Sequence, residues 1–178
     1  HKNYALVIST NCGLWRYAVG DTVQFTSKNP YRIKVSGRLK HFINAFGEEV
    51  IIDNADYAIE KACKETGAVV NDYSAAPVYM TGAENGAHEW IIEFAHLPVA
   101  LEIFVEKMDK ALQEINSDYE AKRHKDIALR KPIVHRMPED GFKRWLKDKG
   151  KLGGQHKVPR LCNDRKYIEE MMPYTKGV

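Results

Sequence analysis

Gly37-Arg38-Leu39-Lys40-His41-Phe42-Ile43-Asn44-Ala45-Phe46-Gly47-Glu48-Glu49-Val50 is the stretch on which the fold depends, because the spacing of apolar residues changes across it. Upstream the pattern is that of strands. Asn3–Thr10 is β-branched and apolar, and Leu14–Thr26 alternates loosely, with Gly20-Asp21 expected as a turn between two extended pieces. Asn29-Pro30 marks a further turn, Tyr31–Ser36 alternates again, and Gly37 is expected to stop it. Downstream the period becomes helical. Ile52, Ala55, Ile59 and Ala62, joined by Cys63, share one helix face, with Asp53 or Asn54 as cap and Gly67 as terminator.

The apolar runs Val69–Met80 and Glu89–Ala95 flank the turn Gly82–Gly86 and predict an antiparallel strand pair. Pro98 stands where a helix begins, and Leu101, Phe104, Val105, Met108, Leu112, Ile115 and Tyr119 form the clearest helical stripe in the chain. Ile127–Arg136 reads as a third strand and Phe142, Trp145 and Leu146 as a short helix. Lys147–Gln155 reads as a loop and Ile168–Met172 as a last short helix. The whole is an α+β arrangement: helices packed on a small mixed or antiparallel sheet, preceded by a few strands of a larger β unit. The expected division is residues 1–39 and residues 40–178.

At 178 residues, 44% apolar and 29% charged, the chain has the composition of a globular protein able to bury a core. Its 27 basic and 24 acidic side chains leave a net charge of +3, so no nucleic-acid-binding tail is implied. Cys12, Cys63 and Cys162 are odd in number and widely spaced, which argues against a disulfide framework or a zinc site and for free thiols in a cytoplasmic protein. No apolar run approaches the roughly 20 residues of a membrane span. Ala5–Ile8 is too short for the apolar region of a signal peptide. The opening at His1 fits a cut chain, and equally a processed or tagged terminus.

Three constellations carry chemistry, and each has a plainer alternative. In Tyr17–Asp21, a carboxylate just after a glycine can accept hydrogen bonds from two adjacent ribose hydroxyls; a Gly-Asp turn is the bland reading. Arg38 presents a planar fork of donors suited to oxyanions, or else a surface salt bridge. In Gly153-Gly154-Gln155-His156-Lys157-Val158-Pro159-Arg160, Lys157 sits on a glycine-flanked loop stiffened by Pro159. Such a lysine can aim at developing negative charge, or can simply be solvated. Glu48-Glu49 reads as a solvated helix entry rather than a catalytic carboxylate pair. Trp90 and Phe94 read as core rather than as an acceptor pocket, and Lys143, Lys147, Lys149 and Lys151 as an exposed face. The histidines are scattered without ligand spacing, so no metal site is expected.

Taken together, these segments resemble the C-terminal part of the acyl-acid amido synthetases, the Gretchen Hagen 3 (auxin-responsive promoter) family of adenylate-forming ligases. Gly13-Leu14-Trp15-Arg16-Tyr17 is similar to their Gly-Leu-Tyr-Arg-Tyr. Gln155-His156-Lys157-Val158-Pro159-Arg160 is close to their terminal motif. Gly37, Arg38, Lys40, Ile43, Gly47 and Val50 keep the register of the hinge segment, with Asn44 standing where a lysine is common.

The resemblance implies that Tyr17, Asp21 and Arg38 bind the nucleotide, that Lys40 is a hinge and that Lys157 is catalytic. It implies ATP and Mg2+ as cofactors, and a carboxylic acid and an amino acid as partners in forming an amide. It also implies a larger N-terminal domain carrying the Ser/Thr/Gly phosphate loop that this sequence lacks, so the piece alone is expected to be inactive. An acyl-CoA-type thioester ligase and a non-catalytic α+β binding or regulatory module are the alternatives.

Overall fold

The computed structural model describes residues 2–38, 42–82, 84–126, 128–151, 153 and 157–175, with residues 37 and 38 described in backbone only. Strands β1 (Tyr4–Ile8), β2 (Tyr17–Lys28) and β3 (Tyr31–Arg38) form an antiparallel sheet in that order. Asn29-Pro30 is the hairpin tip between Lys28 and Tyr31, where the missing proline N–H leaves no ladder bond unmade.

Gly20-Asp21 is not a turn, because β2 runs straight through it. Ala5 faces Thr22 while Val7 faces Ala18, which leaves Val19, Gly20 and Asp21 opposite Leu6 alone. This is a bulge, and Gly20 absorbs it at φ +88, where a side chain would be strained. Nor does Gly37 stop β3, since Thr22 pairs with Gly37 and Asp21 with Arg38. Alternation on either side of a glycine looks the same whether the chain reverses or bulges. Pairing with β1 decides between them.

The second unit begins with the two-residue strands β4 (Phe42–Ile43) and β5 (Val50–Ile51), which pair around the loop 44–49. Then follow α1 (Ile52–Thr66), β6 (Val69–Val78), β7 (Ala87–His96), α2 (Leu101–Ile115), α3 (Ser117–Arg123), β8 (Ile133–Met137), α4 (Gly141–Asp148) and α5 (Lys166–Met171). Strands β6, β7 and β8 form a mixed sheet, antiparallel between β6 and β7 and parallel between β7 and β8. A parallel neighbour needs a long crossover, and α2 with α3 supplies it.

Alternate residues of β7 point to opposite faces. Trp90 and Ile92 join Phe104, Met108 and Leu112 under α1 and α2, while Ile91 packs on the other side with Phe142, Trp145 and Met171. The sheet is therefore covered on both faces, which is why its central strand has an unbroken apolar centre. Trp90 is fully buried and Phe94 nearly so, as core residues.

The long helical stripe is split before Tyr119. Asn116 is extended at φ −133, ends α2 and caps α3 by accepting the Tyr119 N–H at 2.9 Å. At the start of α1 the cap position is Ile51 rather than Asp53 or Asn54, and Asn54 Oδ1 accepts the Ile51 N–H at 3.1 Å. The third strand is shorter than expected and begins at Ile133.

Glu48 corrects another expectation: it is fully buried rather than solvated. Its carboxylate accepts the N–H groups of Ala45 at 3.1 Å and Phe46 at 2.7 Å and meets buried His88 Nε2 at 2.8 Å. Asn116 Nδ2 donates to the Glu48 carbonyl at 2.8 Å, and Asn44 N–H donates to Asn163 Oδ1 at 2.7 Å. Phe46 lies so close to Gly86 that a Cβ there would come within 2.2 Å of its ring. These contacts bolt the loop 44–49 onto the β6–β7 hairpin and the α2–α3 junction.

Burial works to raise the Glu48 pKa, but the hydrogen bond and charge of His88 and the backbone N–H groups of Glu48 itself and Phe46 outweigh it, and the net shift is downward. A carboxylate depressed in the folded state adds stability above its unfolded pKa and loses it as pH falls through the folded one. Glu48→Gln should therefore unfold more easily than the unsubstituted chain at neutral pH, by about 1–3 kcal/mol. The gap should close below the ordinary carboxylate range. Denaturant melts at the two pH values check this, and a gap that does not change with pH would refute the assignment.

Candidate active site

The bulge in β2 and the end of β3 place two of the expected nucleotide-binding residues side by side. Asp21 and Arg38 are opposite each other in the antiparallel register, and Asp21 is half-buried. Tyr17 opens the same strand, paired with Ile8, and is 52% exposed. A carboxylate on a bulged strand, with a cationic residue in register beside it, has the acceptor and donor types that a ribose diol and a phosphate require. Among the described residues no group of three His, Cys, Asp or Glu is placed to hold a metal ion.

Lys157 belongs to a different element. It is exposed, and the chain that follows it is fastened to β6, an edge strand of the mixed sheet. Ser74 Oγ donates to the Pro159 carbonyl at 2.7 Å, Ala75 N–H donates to the Arg160 carbonyl at 2.8 Å, and Cys162 N–H donates to the Ala75 carbonyl at 3.1 Å. Lys40, Gln155 and His156 lie outside the described residues. The structure thus joins Asp21 to Arg38 in register and roots Lys157 on the sheet of the second unit.

One side chain of the terminal motif proves to be a junction that sequence reading passed over. Arg160 spans α1 and β6. Its Nη1 donates to Asp56 Oδ1 at 3.1 Å and its Nε to Asp72 Oδ1 at 3.4 Å. The guanidinium lies 5.0 Å from the centroid of the Tyr73 ring, whose hydroxyl donates to Asp56 Oδ1 at 2.7 Å. Burial works against the Arg160 charge, yet the surrounding Tyr73, Asp56 and Asp72 hold its pKa above the usual value. Asp72 is shifted upward by its own burial, only partly offset by the Tyr73 N–H and Arg160. The group lines a cleft of about 480 Å³ with Cys63 and Val70. The motif drew attention to Lys157, whereas the partners of Arg160 stand 88 and 104 residues upstream, where no local pattern connects them.

Among the described residues no helix is long and apolar enough to cross a membrane. Cys12, Cys63 and Cys162 are free thiols.

Comparison with known proteins gives a consistent picture. A model of the GH3 family C-terminal domain matches residues 53–166, and one of the GH3 family central domain matches residues 1–38. No curated protein matches the sequence. Among solved structures, the GH3.15 acyl acid amido synthetase superposes with a TM-score of 0.74 at 17% identity, covering 97% of this chain and 34% of that one. The AtGH3.15 acyl acid amido synthetase in complex with 2,4-DB also matches with a TM-score of 0.74 at 17% identity, over 97% and 32% of the two chains. The chain thus spans about a third of the length of these structures, and at this identity the likeness shows a shared fold, a small mixed sheet with helices packed on it. With the C-terminal-domain model matching more than half of its residues, the chain belongs to the GH3 family.

Proposed function

We propose that this chain is the C-terminal part of an ATP-dependent ligase that adenylates a carboxylic acid and passes the acyl group to the amine of an amino acid. The observation that carries the reading is the match of the GH3 C-terminal domain to residues 53–166, in a fold that roots the Lys157 segment on the sheet of that domain. In the first half-reaction a carboxylate oxygen bonds to the α-phosphorus of ATP and the bond to the departing pyrophosphate breaks. In the second, the amine nitrogen bonds to the acyl carbon and AMP leaves. Mg2+ bound to the phosphates would offset their charge, held by the nucleotide and by residues outside this chain.

Asp21 accepts the ribose hydroxyls, Arg38 and Tyr17 flank the same nucleotide, and the Lys157 ammonium meets charge that builds on the phosphate. Residues 1–39 form the edge of the larger nucleotide-binding part, and residues 40–178 the lid. The piece alone lacks the phosphate loop and turns nothing over. The free thiols suit a reducing cytoplasm.

Lys40 is the proposed hinge. The loop that follows it is tied to the second unit by Glu48, Phe46 and Asn44, so rotation concentrates upstream of that loop. Lys40→Pro in the whole enzyme locks φ and should uncouple the half-reactions, preserving one and slowing the other. Equal rates for both, relative to the unsubstituted enzyme, would remove the hinge role.

Pyrophosphate exchange by the full-length protein, run against a panel of carboxylic acids and followed by amine capture, tests the whole reading. The expected result is acid-dependent exchange and an amide with an amino acid. A thioester formed with coenzyme A in place of the amide would make the protein a thioester ligase. No exchange with any acid would favour a non-catalytic module.

A further inference from the structure

The reach of Lys157 is set by how its loop is anchored, and the anchor is a charged, stacked junction where a backbone ladder alone would hold an ordinary loop. We infer that Arg160 is a positioning residue for Lys157, clamping the exit of the loop across α1 and β6 so that the ammonium is presented at a fixed distance from the lid sheet.

Six contacts converge on the three residues that follow Val158. Ser74 Oγ holds the Pro159 carbonyl at 2.7 Å, and the Arg160 carbonyl accepts the Ala75 N–H at 2.8 Å. The guanidinium is held by Asp56 of α1 and Asp72 of β6 while stacking on Tyr73. Leu161 is fully buried and bridges in parallel to Ala75. Pro159 and the restricted residue before it then leave little backbone freedom between the clamp and Lys157.

A lysine side chain is long and flexible, so a small shift of its root moves the ammonium by a comparable amount. Arginine suits the clamp because its planar fork can meet two carboxylates and an aromatic face at once, which a lysine cannot. Asp56 and Asp72 come from elements that are adjacent in space only when α1 lies on β6. The clamp therefore ties the loop to the assembled lid.

This inference rests on the adenylating role proposed for Lys157, and the test separates the two. In the full-length enzyme, Arg160→Met keeps the aliphatic stem and removes the fork. Misplacing a catalytic group by about 1 Å costs on the order of 100-fold. Arg160→Met should slow pyrophosphate exchange by about that factor, leave amide formation from supplied acyl-adenylate near normal, and add no further loss in a Lys157→Ala background. Arg160→Lys should recover part of the rate. Ser74→Ala, which loses one bond to Pro159 and leaves the buried core intact, should give the same half-reaction selectivity at smaller amplitude.

A normal exchange rate in Arg160→Met, with Lys157→Ala slow, overturns the inference alone. So does equal slowing of both half-reactions, which marks a structural role, or a loss that multiplies with that of Lys157→Ala, which marks an independent contact. A normal rate in Lys157→Ala defeats the underlying reading and this inference with it.

Discussion

Lys157→Ala in the complete enzyme should depress acid-dependent pyrophosphate exchange by about 100- to 1,000-fold, the usual cost of removing one electrostatic contact to a developing charge. The same variant should convert supplied acyl-adenylate to amide at close to the normal rate. The asymmetry follows from where charge appears. During adenylation negative charge accumulates between the incoming carboxylate and the α-phosphate, and an ammonium aimed there stabilises the transition state more than the bound reactants. In the proposed amide-forming step the charge develops on the acyl oxygen and the departing phosphate, once the proposed lid has turned. The lysine is exposed on a loop rooted at β6, so its removal leaves the core of the second unit unchanged. Pre-formed adenylate isolates the second step, and the ratio of the two losses is the measurement. An unaltered exchange rate would make Lys157 a solvated loop lysine.

The elements legible in the sequence are those with strong local periodicity. The α1 face from Ala55 to Ala62, its Gly67 terminator and the β6–β7 pair around Gly82–Gly86 are all present in the structure. Three of the misreadings share one cause, a partner far away in the chain. Gly20-Asp21 is a bulge because β1 pairs across it. Glu48 is buried because His88, 40 residues on, receives it. The helical stripe through Tyr119 breaks because the Asn116 side chain bonds to both the α3 backbone and the Glu48 carbonyl. No local pattern links Asp21 to Arg38, and only the pairing of β2 with β3 sets them in register. Arg160 carries the same lesson, since its partners are Asp56 and Asp72, which nothing in the local string marks.

The largest effect on stability is expected at Arg123, which forms a buried bidentate pair with Asp109. Nε donates to Oδ1 and Nη2 to Oδ2, both at 2.8 Å, and the two side chains are only 6% and 5% exposed. Arg123 also pairs with Asp126 and donates from Nη1 to the Leu129 carbonyl at 2.8 Å, while the Tyr119 hydroxyl donates to Asp109 Oδ1 at 2.8 Å. The hydrogen bond from Arg123 to Asp109 outweighs burial and raises the arginine pKa. Burial, reinforced by the Asp109 charge, raises that of Tyr119. The network joins α2 to α3 and to the chain that leads into β8.

Arg123→Leu strands the Asp109 carboxylate without its cation, and breaking one side of such a pair costs about 3–5 kcal/mol. Replacing the three buried side chains of the network together is a different experiment. Asp109→Leu with Arg123→Met and Tyr119→Phe removes the charges and the hydroxyl together, and should recover most of that loss, because paired charges repay little more than their own desolvation. Denaturant midpoints at unchanged slope give both values. A loss below about 1 kcal/mol in Arg123→Leu would show that water or a shifted donor satisfies Asp109 in the variant. A triple variant as unstable as the single one would show that the network specifies the α2–α3 angle beyond balancing its own charge.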